Sequence, residues 1–265
     1  MLLAIDAGNT NVVFGVFDGA KKRCQWRAAT RLDRTADEYA VLLAQWMQAE
    51  GIRTSAIKDV AIASVVPKIL RDLRQLAERT FGRAPLVVGE KGVQLGTEIK
   101  IDRPQEAGAD RLCDAVAAHA TYGGPLIVID FGTATTFNVV DGKGAYCGGA
   151  IAPGINLSVE ALHAATAKLP RIAVEAPEHA IGRDTVSAMQ SGIYWGYIGL
   201  IEGLTRKLKA EFGGRAKMKV IATGGLAPLF ANGTEVVDHV DSDLTLRGLV
   251  EIHRRNRSTR KPKKR

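Results

Sequence analysis

Apolar residues fill positions 2–5 and return through 12–17, on either side of a Gly-Asn-Thr-Asn turn, the pattern of two strands joined by a tight connection. CQWRAA at 24–29 supplies a third strand, and together the three predict a meander. From Thr35 the period changes. Tyr39, Leu42, Leu43, Trp46 and Met47 recur at helical spacing, Thr35 and Glu38 form a capping-box signature, and Gly51 offers a stop, so 35–51 is predicted helical. DVAIASVV at 59–66 reads as a buried strand, and the segment from Pro67 to Gly82 as a helix with proline in its first turn.

After a short PLVV strand at 85–88, a polar, glycine-containing stretch leads to an Ala-rich helix over about 107–120, with Asp110 and Arg111 near its start. PLIVI at 125–129 then opens a second series of strands, continued by TTFNVV and AYCGGAI. INLSVEALHAATAKL and 185–213 are predicted helices, with His163 of the first read as a packed helix residue or a pocket residue. The second is apolar around Met189, Ile193, Tyr194, Trp195 and Ile198 and carries Gly192, Gly196 and Gly199, which suits a core or dimer-interface helix. KVIATGG at 219–225 returns as strand and glycine turn. Alternating strands and helices define an α/β class. IDAGNT at 5–10 and IDFGTATT at 129–136 each follow a buried-strand signal, and this recurrence predicts two related α/β halves facing a cleft: 1–118, then 119–253, with 254–265 as a basic disordered tail.

Composition is that of a globular protein, with 46 % hydrophobic and 24 % charged residues among 265. The formal net charge of +8 resembles a nucleic-acid signal until it is located. Eight of the 36 Lys and Arg lie in RRNRSTRKPKKR at 254–265, which has no acid, so the remaining 28 balance the 28 acids. The body is neutral and no specific nucleic-acid partner is expected; the tail is either a solvated, solubilising segment or a nonspecific contact for an anionic partner. MLLAI reaches Asp6 too soon for a signal peptide and no long apolar run follows, so a cytoplasmic protein without a membrane partner is expected. Cys24, Cys113 and Cys147 are odd in number and widely spaced, which fits neither a disulfide scaffold nor a close-spaced zinc site.

A carboxylate at a strand end can hold a divalent cation or its waters, and adjacent glycines let backbone N–H groups approach phosphate oxygens. One Asp-x-Gly-x-Thr turn is also an ordinary tight turn; two such turns point to nucleotide phosphate binding. No Gly-x-x-x-x-Gly-Lys-Ser/Thr segment is present, and the first turn is not a Gly-x-Gly-x-x-Gly fingerprint. Gly224 and Gly225 would admit a base or ribose, or simply turn the chain from strand to helix. Phosphoryl transfer also needs an aligned acceptor hydroxyl and a group to receive its proton. Asp110 beside Arg111 is a candidate, with an ordinary helix-start acid and surface Arg as the alternative.

DAGNTN at 6–11, GADR at 108–111, DFGTATT at 130–136, GGAIAPG at 148–154, GRDT at 182–185 and TGG at 223–225 together resemble the type III pantothenate kinases, in family order over most of the chain. The resemblance implies two ribonuclease H-like, actin-like ATPase domains and transfer of the ATP γ-phosphoryl group to pantothenate, giving 4'-phosphopantothenate in the first step of coenzyme A biosynthesis. It implies that Asp6, Gly8, Asn9, Thr10 and Asn11 form one phosphate motif, Gly132, Thr133 and Thr135 a second, and Gly224 and Gly225 the adenosine motif. Asp110 would be the base, Gly108, Ala109 and Arg111 would hold pantothenate, and Thr185 would complete that pocket from the partner subunit of a homodimer. Asp130 would bind a monovalent cation, K+ or NH4+, and Asp6 would bear on Mg2+. The sequence departs from the family's Tyr-x-Asn-Pro at IDRP, where Ile101 and Arg103 stand at the matching substrate-side places. Another small-molecule kinase or phosphohydrolase, or an ATP-regulated binding protein, are the competing readings.

Overall fold

The uninterrupted apolar run at the start of the chain forms a strand buried on both faces, which explains why it does not alternate. The computed structural model describes residues 1–166, 168–213 and 217–259. Within them the first five strands are β1 (Leu2–Ala7), β2 (Asn11–Asp18), β3 (Lys21–Ala29), β4 (Asp59–Ser64) and β5 (Leu86–Val87). The next five are β6 (Leu126–Phe131), β7 (Ala134–Val140), β8 (Tyr146–Pro153), β9 (Lys219–Gly224) and β10 (His239–Val240). They form two sheets, ordered β3-β2-β1-β4-β5 and β10-β9-β6-β7-β8. Read from its own first strand, each sheet has the same order. β1 is antiparallel to β2 and parallel to β4, and β6 is antiparallel to β7 and parallel to β9. The repeat expected from the twin motifs is therefore a repeat of topology, the ribonuclease H-like arrangement.

The helices are α1 (Ala36–Ala49), α2 (Pro67–Phe81), α3 (Ala109–Tyr122), α4 (Ile155–Ala164), α5 (Thr185–Glu211), α6 (Ala227–Ala231) and α7 (Leu244–Thr259). Thr35 caps α1 in a reciprocal capping box with Glu38, and Pro67 opens α2 as expected. The chain divides into two compact units, one of 1–98, 102–117 and 244–265, the other of 99–101 and 118–243.

In the first unit, Leu3 and Ile5 of β1 join Phe14, Tyr39, Leu43, Ile69 and Leu73 beneath α1 and α2. The alternate residues, Leu2 and Ala4, meet Cys113 and Val116 of α3 and Leu246, Leu249 and Ile252 of α7 on the opposite face. Helices α3 and α7 cross closely at Gly248, where a β carbon would lie 2.0 Å from the Cys113 carbonyl oxygen. In the second unit, Ile127, Ile129 and Phe137 pack with Tyr194, Tyr197, Ile198, Ile201 and Phe230.

The basic segment from 254 differs from expectation. Helix α7 continues to Thr259, and 260–265 lie outside the described residues. A buried stripe at helical spacing, Leu249, Ile252 and Asn256, runs from the preceding residues into the charge run. Asn256 Oδ1 accepts from the Gln94 N–H at 2.9 Å and its Nδ2 donates to the Gln94 carbonyl at 2.8 Å. Arg255 Nη1 donates to the carbonyls of Leu95 at 3.0 Å and Gly96 at 2.7 Å. These residues clamp the 94–96 loop. Helix α4 ends at Ala164, earlier than the predicted 169, and His163 Nδ1 lies 2.6 Å from the Leu169 carbonyl oxygen. No helix among the described residues is long and apolar enough to cross a membrane.

Candidate active site

Asp6 and Asp130 each occupy the fifth position of a six-residue central strand, with an identical burial pattern along the two strands. Asp6 pairs with Val13 and Ala63, and Asp130 with Thr136 and Thr223. Both carboxylates therefore sit where a buried strand gives way to a turn, half-exposed while the four preceding residues are buried.

In the first unit, the turn after Asp6 closes through the Gly8 N–H on the Asn11 carbonyl at 3.0 Å. Thr30 holds it from the end of β3: its hydroxyl donates to the Gly8 carbonyl at 2.7 Å and its N–H to the Thr10 carbonyl at 2.9 Å. Asn9 and Thr10 are left exposed. The Val65 N–H donates to the Ala7 carbonyl at 3.1 Å, and Val65 also borders Gly108, which brings the start of α3 beside the end of β1.

Asp110 occupies the first turn of α3, and its Oδ1 accepts from the Arg111 N–H at 2.7 Å. A β carbon on Gly108 would come within 2.5 Å of that oxygen, so glycine makes room for the carboxylate. Burial raises the Asp110 pKa above the ordinary aspartyl value, against the lowering effect of the Arg111 N–H and guanidinium. Cys113 is fully buried; burial, and then the charges of Asp6, Asp114 and Asp110, push its thiol well up. Cys113 packs in one cluster with Leu2 and Ala4 of β1 and Ala109 of α3. Cys113 itself is an inert, protonated core residue.

In the second unit, the turn after Asp130 closes through the Gly132 N–H on the Ala134 carbonyl at 3.2 Å, and the Gly154 N–H donates to the Thr133 carbonyl at 3.2 Å. Gly132 and Thr133 are exposed. Thr135 is 1 % exposed, with its hydroxyl bonded to the Tyr197 hydroxyl, so its side chain supports the turn from beneath. Gly224 has φ +91°, and a β carbon there would lie 2.6 Å from the Phe131 carbonyl oxygen and 2.7 Å from Asp130 Oδ1. Only glycine avoids both clashes in that backbone conformation. Gly225 is exposed, with open space around it.

Thr185 is the first residue of α5, after Asp184, whose carboxylate accepts from the Ser187 N–H at 3.0 Å. It borders an apolar groove of about 570 Å3 with Leu162, Leu169, Met189 and Ile193. Arg103 pairs with Glu106 at 3.1 Å on the surface, while Ile101 packs near Gly148. Sequence reasoning missed Thr30, Gly154 as a turn contact, and Tyr197. Tyr197 carries no motif signal, since it falls inside an apolar helical stretch.

The residues fit a magnesium nucleotide. No group of three or more Asp, Glu, His or Cys able to hold a metal occurs among the described residues. An ion held by one or two carboxylates, waters and substrate phosphates needs none. Strand-end carboxylates beside glycine turns supply hard oxygen donors and backbone N–H groups.

Topology and turns together define an α/β protein with two related halves of ribonuclease H-like arrangement. Among solved structures, the chain is similar to a conserved Campylobacter jejuni protein of a Baf family of transcriptional activators, with TM-score 0.60, 19 % identity and coverage of 97 % of this chain and 99 % of that one. It is also similar to the inorganic polyphosphate/ATP-glucomannokinase of an Arthrobacter species, with TM-score 0.50, 16 % identity and coverage of 97 % and 98 %. Both likenesses concern the fold. The type III pantothenate kinase family model matches residues 2–207, and a type III pantothenate kinase of Paramagnetospirillum magneticum is 62 % identical over 256 residues, 97 % of this chain and 98 % of that relative. The chain belongs to the type III pantothenate kinase family.

Proposed function

We propose that the protein transfers the γ-phosphoryl group of ATP to the primary hydroxyl of pantothenate, forming 4'-phosphopantothenate and ADP in coenzyme A biosynthesis. The observation that carries this reading is the part-buried Asp110 carboxylate in the first turn of α3, which Val65 and Gly108 set beside the end of the strand that bears Asp6, in a chain of this family. When bound, ATP with Mg2+ supplies the phosphoryl group and a cation that screens its charge. Asp110 receives or orients the hydroxyl proton as oxygen bonds to phosphorus and the bond to the ADP oxygen breaks. Gly108, Ala109 and Arg111 hold pantothenate, joined by Thr185 of a second copy. Asp6 with Gly8, Asn9, Thr10 and Asn11, and Gly132 and Thr133, supported from beneath by Thr135, serve the phosphates; Asp6 also bears on Mg2+, and Gly224 and Gly225 serve adenosine.

Two finer roles belong to the same reading. Asp130 binds a monovalent cation, K+ or NH4+, for which its half-exposed place at the end of β6 is the support. The protein works as a cytoplasmic homodimer, without membrane or specific nucleic-acid partners. Support for the dimer comes from one face of α5, where Gly192, Gly196, Gly199 and Gly203 have open space in this chain, and from exposed Trp195, Ile181 and Val186. Product formation from ATP, Mg2+ and pantothenate, with and without K+, tests the reaction. No 4'-phosphopantothenate above a no-enzyme control would overturn it, and ATP consumption with another acceptor would redirect it to a different small-molecule kinase.

A further inference from the structure

We propose that Tyr197 is a positioning residue for the nucleotide, acting through the turn that follows Asp130. Its hydroxyl is bonded to the Thr135 hydroxyl and donates to the Pro153 carbonyl at 3.1 Å. One phenol therefore ties helix α5 to β7 and to the end of β8. Next to Pro153, the Gly154 N–H donates to the Thr133 carbonyl, and a β carbon on Gly154 would lie 2.2 Å from that oxygen and 2.7 Å from the Gly132 carbonyl oxygen. The backbone of 153–154 is thus laid against 132–133, and the Tyr197 hydroxyl grips both strands that bring them together. The ring is fixed as well: it is tilted against Phe131, with centroids 6.4 Å apart, and against Phe230 at 5.0 Å. The two bonded hydroxyl residues are buried, Thr135 at 1 % and Tyr197 at 5 % exposure, whereas Gly132 and Thr133 face solvent. A hydroxyl in such a place sets the direction of the turn's N–H groups without touching a ligand.

This inference rests on reading 130–136 as a phosphate-binding turn, and its test separates the two. Binding of Mg2+ with a non-hydrolysable ATP analogue is measured by calorimetry on the full chain, alongside pantothenate KM and thermal unfolding. Tyr197→Phe, which keeps the ring, and Thr135→Val are each expected to weaken nucleotide binding roughly three- to tenfold, the scale of one buried hydrogen bond. Pantothenate KM stays unchanged, Thr135→Ser restores wild-type binding, and the double variant binds no worse than either single one. Unchanged nucleotide affinity in a folded Tyr197→Phe protein overturns the inference alone, as do losses that multiply in the double variant. A wild-type protein that binds no nucleotide overturns the phosphate-turn reading and this inference with it. Tyr197→Phe removes one oxygen, so the test stands even where Thr135→Val fails to fold.

Discussion

The two central turns begin from the same strand position and are secured in opposite ways. The turn after Asp6 is held from its side by Thr30, a half-buried residue at the end of a neighbouring strand, through two hydrogen bonds to backbone carbonyls. The turn after Asp130 is held from beneath by a buried phenol and by glycines pressed against carbonyl oxygens. The first unit also carries the part-buried acid Asp110, whose pKa burial raises, whereas the second offers mainly glycine and hydroxyl groups around Asp130. The shared sheet topology therefore fixes where a carboxylate emerges, while each turn has its own support. Substitutions in the first unit should act mainly on chemistry, and those in the second mainly on backbone geometry.

The largest effect is expected at Asp110. Asp110→Asn should lower kcat by about 10²- to 10⁴-fold, the contribution of a positioned proton acceptor, while nucleotide affinity measured by calorimetry stays near wild type. Because burial raises this carboxyl, the acid limb of kcat/KM should fall above the ordinary aspartyl value of about 3.9. The sign for stability is opposite to that for activity. A raised acid pKa means that the folded state holds its proton longer than the unfolded chain, so stability present at low pH is lost as pH rises through the raised value. Asn removes that penalty, and Asp110→Asn should melt no lower than wild type at neutral pH. A variant that loses turnover together with several degrees of melting temperature would contradict the assignment.

The second unit's turn is broken most directly at Gly224. Alanine there must adopt φ near +91° with its β carbon 2.6 Å from one carbonyl oxygen, both unfavourable. Gly224→Ala should cost about 1–3 kcal/mol in urea unfolding and weaken ATP use. Gly8→Ala, in the matching turn, places its β carbon 3.3 Å from the Asn11 carbonyl oxygen and should cost less than about 1 kcal/mol. Equal costs would erase the contrast between the turns.

Next in size is the C-terminal clamp. A chain ended after His253 leaves the Gln94 N–H and carbonyl and the carbonyls of Leu95 and Gly96 without Asn256 and Arg255. These loop groups are exposed or only part-buried, so water replaces much of what each bond supplies; at most about 0.5–1.5 kcal/mol is lost per bond, and this truncation should lower the unfolding midpoint modestly. A chain ended after Thr259 keeps these bonds and is the reference; equal midpoints for the two would show that the clamp contributes nothing.

That clamp also marks where the sequence is hard to read. Strands buried on both faces announce themselves as apolar runs, and β1, β4, β6 and β9 all lie where those runs predict. In α7 the buried stripe of Leu249 and Ile252 is continued by an asparagine amid a run of arginines, and there composition overwhelms period. The short α6 and β10 have too few residues for any period. Thr133 and Thr135 show a second limit: both are hydroxyl residues in one motif, yet one faces solvent and the other the core, and spacing does not say which. Tyr197 was hidden because a buried phenol in an apolar helix looks like packing until its hydroxyl is placed.

The smallest expected effect is at Thr30. Thr30→Val keeps the β-branched shape that suits the end of β3 and keeps the N–H bond to Thr10, removing only the hydroxyl bond to Gly8. One partly buried hydrogen bond is worth about 0.5–1.5 kcal/mol, and the Gly8 carbonyl, half-exposed, can recover part of this from water. The ATP KM should rise less than in Tyr197→Phe, because water can reach the first turn's anchor and not the second's. Should Thr30→Val raise the ATP KM more than Tyr197→Phe, the first turn would be the more tightly determined of the two, and the contrast between side support and buried support would have to be reversed.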